Sequence, residues 1–290
     1  MSILLNEGMV FSHIPPKAED LHKSSAGRLY IVAGCRSFIG APVLTLLGAL
    51  RAGCGYLTLA STPFVCQSAS FHLLTPTYDP MAENEAGRIS CRAAPDILKR
   101  AAGYHALVIG CGLGLDEDTR TLVHTVLQGY EEPVLLDADG INALGGCIDI
   151  ACGKRERILT PHEGEMGRLL GKPAEWVHAH RTKAAAACAE KTGAVTVLKG
   201  PHTLIASPAG EILENPSGNS GLAKAGSGDL LSGMIGSLLA QGIPALWAAA
   251  CGVYLHGAAA DLCAWKMSRF CMQPEDILSF LPEIFLRNGR

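Results

Sequence analysis

Short runs of apolar residues, each closing on a glycine or a polar side chain, recur along this chain between stretches of helical character. Residues 28–34, 55–60, 105–110, 133–137 and 157–160 are the first five. Each is continuously apolar instead of alternating, the pattern of a strand buried on both faces. Residues 41–52, 116–127 and 176–190 read as helices, and the second of these opens with three acids, where the helix dipole favours negative charge. The alternation predicts an α/β fold with a central, mostly parallel sheet and helices on both faces. Residues 195–199, 202–207 and 211–214 are three further strands; a Pro208-Ala209-Gly210 turn joins the last two, so this region is expected to be antiparallel. Residues 73–92 carry no legible pattern.

Residues 230–260 contain no charged side chain, a run long enough to cross a bilayer. Gln241-Gly242-Ile243-Pro244 interrupts it, and each piece falls short of the roughly 20 apolar residues of a spanning helix. Two helices buried against the sheet are therefore expected, and no membrane. A closing amphipathic segment covers 274–285. With no repeat, linker or low-complexity tract, a single domain over residues 1–290 is expected.

Lys plus Arg number 24 against 27 Asp plus Glu, a net charge of −3, which leaves no electrostatic footprint for a nucleic acid and directs attention to small-molecule chemistry. The eleven cysteines are odd in number and form no CxxC pair, so they are expected to be small buried apolar groups in a reducing cytoplasm, with no disulfide needed for activity. The first seventeen residues hold Glu7 and no basic stretch ahead of an apolar one, unlike a secretory signal, and a cytoplasmic location is expected.

The richest motif is the glycine-rich stretch from Asn215 to Asp229, which feeds straight into the apolar run. A glycine loop ahead of a helix leaves N–H groups pointing outward at the positive end of the dipole, a site for phosphate. Asp229 in the first turn has two readings: a cap for the helix, or a base for a proton lost beside the phosphate. Neither Gly153-Lys154 nor Gly171-Lys172 is followed by Ser or Thr, so no Walker A loop is present, and Gly110-Cys111-Gly112-Leu113-Gly114 has GxGxG rather than dinucleotide GxGxxG spacing. Leu136-Asp137-Ala138-Asp139-Gly140 puts two carboxylates at a strand's C-terminal end, the ligand edge of such sheets, with a turn role for Asp139 as the alternative. Thr160-Pro161-His162-Glu163-Gly164-Glu165 puts hydroxyl, imidazole and carboxylates at another. His178 and His180 are expected to be surface residues with no nearby partner.

Taken in order and spacing, GCRSFIGA (34–41), GCGLG (110–114), LDADGIN (136–142), TPHEGE (160–165), LKGPHT (198–203) and NPSGNSGLAKAGSGDLLSG (from 215) resemble the ADP- or ATP-dependent NAD(P)H-hydrate dehydratases, which are ribokinase-like repair enzymes. The resemblance covers residues 27 to 281 or so and implies a fold of ribokinase type. It implies phosphorylation of the C6 hydroxyl in the S-epimer of hydrated NADH or NADPH, then loss of phosphate to restore the cofactor, leaving AMP from ADP or ADP from ATP. Mg²⁺ and a homo-oligomeric state are expected with it. Carried over residue by residue, Ala41, Gly112, Gly114, His162 and Asp229 line the hydrate site, with Asp229 catalytic. Lys199, Gly200, Pro201, His202 and Thr203 hold the adenine nucleotide, together with Gly226, Ser227 and Gly228. The chain departs from the family at Cys35-Arg36, where small polar residues are common, and at Cys111, where proline is usual. The epimerase domain fused to some members is expected to be absent. A kinase of the same superfamily that releases its phosphorylated product, and a nucleotide sensor without catalysis, are the rival functions.

Overall fold

All eight expected strands form, with ends shifted by a residue or two, in the computed structural model, which describes residues 2–20, 22, 26–152 and 155–290. The Gly153-Lys154 pair lies outside the described residues. The strands are β1 (Ile3–Leu4), β2 (Arg28–Val32), β3 (Tyr56–Ser61), β4 (Thr77–Pro80), β5 (Ala106–Ile109), β6 (Val134–Leu136), β7 (Arg157–Leu159), β8 (Val195–Leu198), β9 (Leu204–Ala206) and β10 (Ile212–Glu214). They form one sheet in the order β1-β10-β9-β8-β7-β6-β5-β2-β3-β4. Every neighbouring pair is parallel except those made by β9, which runs against both β8 and β10.

The period of two along each strand divides the core between the faces. Leu29 and Ile31 of β2 and Val108 of β5 point to one side, where they meet the helices Gly40–Arg51, Ser227–Ala240 and Ala245–Cys271. Tyr30, Val32, Leu107 and Ile109 point to the other, against Ala94–Ala101, Glu117–Gly129 and Arg181–Thr192. Both faces are thus dry, which is why the strand sequences read as unbroken apolar runs.

Gly40–Arg51 and Ser227–Ala240 cross at backbone contact. A Cβ on Gly48 would lie 2.1 Å from the Leu230 carbonyl oxygen, and one on Gly233 would lie 1.9 Å from that of Thr45. Backbone on the other side cannot swing away as a side chain can. Gly233→Ala is therefore expected to destabilise by about 3 kcal/mol, the upper end for overpacking, read as a lower denaturant midpoint with unchanged slope.

Four expectations change. The second uncharged piece is not short: Ala245–Cys271 runs for 27 residues, continuing past Asp261 to a kink at Ser268. It is long and apolar enough to cross a membrane by length and composition, and 67% of its apolar window is buried inside the protein, as the core explanation requires. The helix expected over 176–190 is two, Ala174–Ala179 and Arg181–Thr192, broken at His180. Residues 274–285 divide into a 3₁₀ turn, Pro274–Ser279, and a helix, Leu281–Arg287, whose second position is Pro282, a residue suited to starting a helix but not continuing one. Finally, 73–92 holds the sheet's edge strand β4 and a bridge between Glu83 and Ile89. An edge strand of four half-exposed residues has no apolar face to show in sequence.

Candidate functional site

The chain leaves β2 toward β3 and β4, then returns to place β5 on β2's other side and proceeds to β6, β7 and β8. The crevice where strand order reverses, at the carboxyl ends of β2 and β5, is the expected ligand position in such a sheet. The loops 33–40 and 110–116 leave from those two ends. Asp137, Thr160 and Lys199 follow β6, β7 and β8 at the same edge, and the glycine-rich loop delivers the start of Ser227–Ala240 to it.

A buried polar cluster forms there. Asp137 is 1% exposed, and its carboxylate accepts from Lys199 Nζ at 2.7 Å, Thr160 Oγ1 at 2.7 Å and Ser232 Oγ at 2.9 Å. The Cys111 thiol donates to it over 3.7 Å. Burial alone would raise the Asp137 carboxyl, but the Lys199 ammonium and the hydroxyl donors outweigh it and hold the group below the usual carboxylate range. Lys199, which burial would lower, is raised by Asp137 and Glu165. The pair is thus a fixed ion pair. Asp229 differs: burial first, then the charge of Asp137, push its carboxyl up to about 6 despite a bond from Cys111 and the nearness of Lys199. One carboxylate is pinned ionised while its neighbour is poised to take a proton, a division seen where acid and base roles are separated.

Asp229 does not cap its helix. The N-cap is Gly226, in the left-handed region at φ 96° with no side-chain bond to the first turn, so the carboxylate stays available. A Cβ on Gly228 would lie 3.5 Å from Lys199 Nζ and 3.9 Å from Asp137 Oδ2, which puts Lys199 beside the amide turn. Ser227 N–H donates to the Lys224 carbonyl at 3.3 Å, whereas the Gly226 and Gly228 amides have no backbone acceptor among the described residues. The Ser227 hydroxyl is buried and unpartnered. Open donors at a helix start are what a phosphoryl group would satisfy.

Ala41 lies in the first turn of Gly40–Arg51, and Gly112 packs against it: φ is +64°, and a Cβ there would lie 2.8 Å from those of Ala41 and Phe38. Only glycine fits on both counts. The Gly114 amide donates to Asp139 Oδ2 at 2.8 Å, so Asp139 holds this turn in place. The exposed His162 caps Glu163–Leu170, its Nδ1 accepting from Gly164 and Glu165, while Glu165 accepts from His162 N–H and lies 3.9 Å from Lys199. Of the 199–203 stretch, only Lys199 enters the cluster. The others form the β8–β9 hairpin loop: Gly200 lies against the Arg181 guanidinium, Pro201 is exposed, His202 is 3.2 Å from Glu214, and Thr203 donates to the Gly200 carbonyl.

Ser232 and Cys111 join the cluster without having been singled out for chemistry, Thr160 and Glu165 of the motif at 160–165 join it beside them, and Asp137 proves more central than its neighbour Asp139. Ser232 was hidden because it reads as one small residue of an apolar helix. Two histidines need correction: His178 Nδ1 is 3.2 Å from Glu163, and the His180 ring stacks on Trp176. The cysteines are all free, yet Cys147, Cys152 and Cys271 are exposed.

Cys111 bears on the titration. Its thiol, raised far above its usual value by burial and by both carboxylates, stays protonated, and its single S–H serves Asp137 or Asp229 in turn. Activity is expected to fall on acidification with an apparent pKa near 6, the Asp229 value. In Cys111→Ala that limb should move upward, because a bond favouring the ionised carboxylate is lost; an unchanged profile would remove Cys111 from the account.

A family model described as NAD(P)H-hydrate dehydratase matches residues 29–283. The chain is 40% identical over 268 residues to an ADP-dependent (S)-NAD(P)H-hydrate dehydratase of Neisseria meningitidis serogroup B, covering 89% of this chain and 85% of that protein. It is 36% identical to a bifunctional NAD(P)H-hydrate repair enzyme of Thermofilum pendens, covering 93% of this chain and 52% of the relative. It thus spans about half the length of the bifunctional relatives it matches. The crystal structure of an ADP/ATP-dependent NAD(P)H-hydrate dehydratase from Bacillus subtilis, co-crystallised with ATP and Mg²⁺, superposes with a TM-score of 0.83 at 32% identity, covering 98% of this chain and 97% of that one. A match over nearly the whole chain, on a sheet whose ligand edge carries an aspartate that caps no helix and a half-buried lysine, places the protein: it belongs to the NAD(P)H-hydrate dehydratase family.

Proposed function

We propose that this chain, as one domain, uses ADP or ATP to dehydrate the S-epimer of hydrated NADH or NADPH. The observation that carries this reading is the Asp229 carboxylate, raised to about 6, at the start of a helix where the Gly226 and Gly228 amides have no backbone acceptor and the Ser227 hydroxyl no partner among the described residues. Asp229 takes the proton of the C6 hydroxyl as its oxygen attacks the terminal phosphorus. The Gly226 and Gly228 amides and the Lys199 ammonium stabilise charge on the transferred phosphoryl group. The C6–O bond then breaks as the ring nitrogen lone pair forms the C6=N⁺ bond, and loss of a C5 proton to the released phosphate forms C5=C6 and restores the dihydropyridine. Phosphate leaves far better than hydroxide, which is the reason for using a nucleotide. Ala41 and Gly112 set the close wall on which the hydrated ring would lie, and His162 stands at its rim.

The donor set suits Mg²⁺ in part. Cys111, Asp137 and Asp229 have ligand atoms within 4.8 Å of one another; the two carboxylates are hard oxygen donors that Mg²⁺ accepts, whereas a thiol is not. Asp137 already accepts from Lys199, Thr160, Ser232 and Cys111 and Asp229 is assigned to the proton, so the nucleotide phosphates would be the ion's main ligands. When bound, it neutralises phosphoryl oxygens.

The test supplies purified protein with an equal mixture of hydrated NADH epimers, Mg²⁺ and either nucleotide, and follows the near-ultraviolet absorbance of the dihydropyridine. Recovery to about half, with one inorganic phosphate released per cofactor restored, is expected, because the proposed chemistry acts on one epimer. A stable phosphorylated product would make it a kinase instead, and rapid full recovery would reveal an epimerase activity.

A further inference from the structure

Beside the proposed hydrate site lies an open cavity of about 390 Å³ that the chemistry above does not use. Leu115, Ile141 and Leu169 give it apolar walls, and two arginines enter it from different helices, Arg120 from Glu117–Gly129 and Arg168 from Glu163–Leu170. Neither arginine makes an ion pair with a carboxylate among the described residues. Arg168 donates from Nε and Nη2 to Asn142 Oδ1, at 3.1 and 2.8 Å, two of the five donors a guanidinium carries. Arg120 lies over Gly145, where a Cβ would come 2.8 Å from Nη1, so the glycine makes room for it. The acid in the lining, Glu165, is already held by the His162 amide and faces Lys199.

The cavity is coupled to the site by a chain of hydrogen bonds. Gly114 N–H donates to Asp139 Oδ2, Asn142 Nδ2 donates to Asp139 Oδ1 at 3.4 Å, and Arg168 donates to Asn142. Leu115 follows Gly114 directly. A molecule whose reactive ring lay against Gly112 and Gly114 would continue over Leu115 into this space. Two guanidinium groups over apolar walls, each with donors left over and no ion-pair partner among the described residues, suit a phosphate joined to a flat apolar body, since arginine recognises phosphate oxygens with paired donors.

We infer that this cavity binds a phosphate of the hydrated dinucleotide, its pyrophosphate or the 2′-phosphate of the NADPH form, with Arg120 and Arg168 as the recognising residues. This rests on the function proposed above. The phosphates of ADP or ATP are the competing source of the same chemistry, and the glycine turn at Gly226–Gly228 already serves them.

The experiment compares the parent with Arg120→Gln, Arg168→Gln and Arg168→Lys. Each Gln variant should raise KM for the hydrate about tenfold or more, the loss expected for charged hydrogen bonds, with kcat and the KM for nucleotide near parental values; Arg168→Lys should recover part. A rise for both hydrates assigns the pyrophosphate, and a rise confined to the NADPH hydrate assigns the 2′-phosphate. Unchanged KM in an active parent background, or a rise in nucleotide KM alone, overturns the inference and leaves the function standing. A parent with no turnover overturns the function instead. Calorimetric binding of ADP-ribose and its 2′-phosphate then still reads the cavity: binding weakened in the Gln variants supports it, and binding absent or unaltered by them sinks it.

Discussion

Asp229→Asn lowers turnover by on the order of 10²–10⁴, the usual cost of removing a general base, while the protein stays folded. Asparagine keeps the shape and removes only the basic oxygen. The structure sharpens the stability side, because Asp229 caps nothing. Its carboxyl is raised to about 6 by burial and by Asp137. The ionised native state therefore carries a penalty that develops as pH rises from the unfolded value near 4 through 6. Asn does not ionise, so the variant should match the parent below about pH 4 and exceed it by up to about 3 kcal/mol above pH 6. Nucleotide affinity should hold or improve as a negative charge near the phosphates disappears. Turnover, chemical denaturation at two pH values and ADP binding check these together; a folded variant with parental turnover would leave Asp229 without a catalytic role.

Lys199→Met carries the largest expected cost in stability. It leaves Asp137 almost wholly buried with only hydroxyl and thiol donors, and an uncompensated buried charge costs about 3–5 kcal/mol. Removing both charges, in Asp137→Asn with Lys199→Met, should regain most of that stability without regaining activity, since the ammonium beside Gly228 is still missing. The pH dependence has a definite sign. Asp137 sits below its usual range, so its contribution is present above the unfolded value near 4 and is lost as pH falls through the native one. Lys199 sits above its usual range, so its contribution is present below about 10 and is lost as pH rises through the native value. The parent keeps the full pair across neutral pH, and the penalty in Lys199→Met shrinks on acidification as Asp137 takes up a proton. Denaturant midpoints across pH measure this, and a single variant as stable as the parent at pH 7 would mean that the pair contributes nothing.

Most of the sheet was legible in the chain because both of its faces are dry: a strand buried on both sides must be apolar throughout, and five such runs marked five strands, while the Pro208-Ala209-Gly210 turn marked the antiparallel ones after them. β1 and β4 were not legible, being edge strands of two and four residues, largely exposed or half-buried. The glycine junction and Asp229 were readable as a phosphate site with a base or a cap, because glycine has few other reasons to cluster before a helix. The choice between base and cap was not, since it depends on where the carboxylate points.

Sequence by itself determined the α/β class, the antiparallel turn of the last strands, and the residue types at the strand ends, because backbone propensity and hydrophobic period act locally. The tertiary structure decided which of those residues meet. Lys199 and Asp137 stand 62 positions apart and Ser232 stands 95 from Asp137; only the strand order β8-β7-β6 and the crossing of two helices at glycine contact bring them to one point. The poise of Asp229 follows from that meeting, for a carboxyl is raised by burial and by another carboxylate close by, and neither exists until the sheet has closed around it.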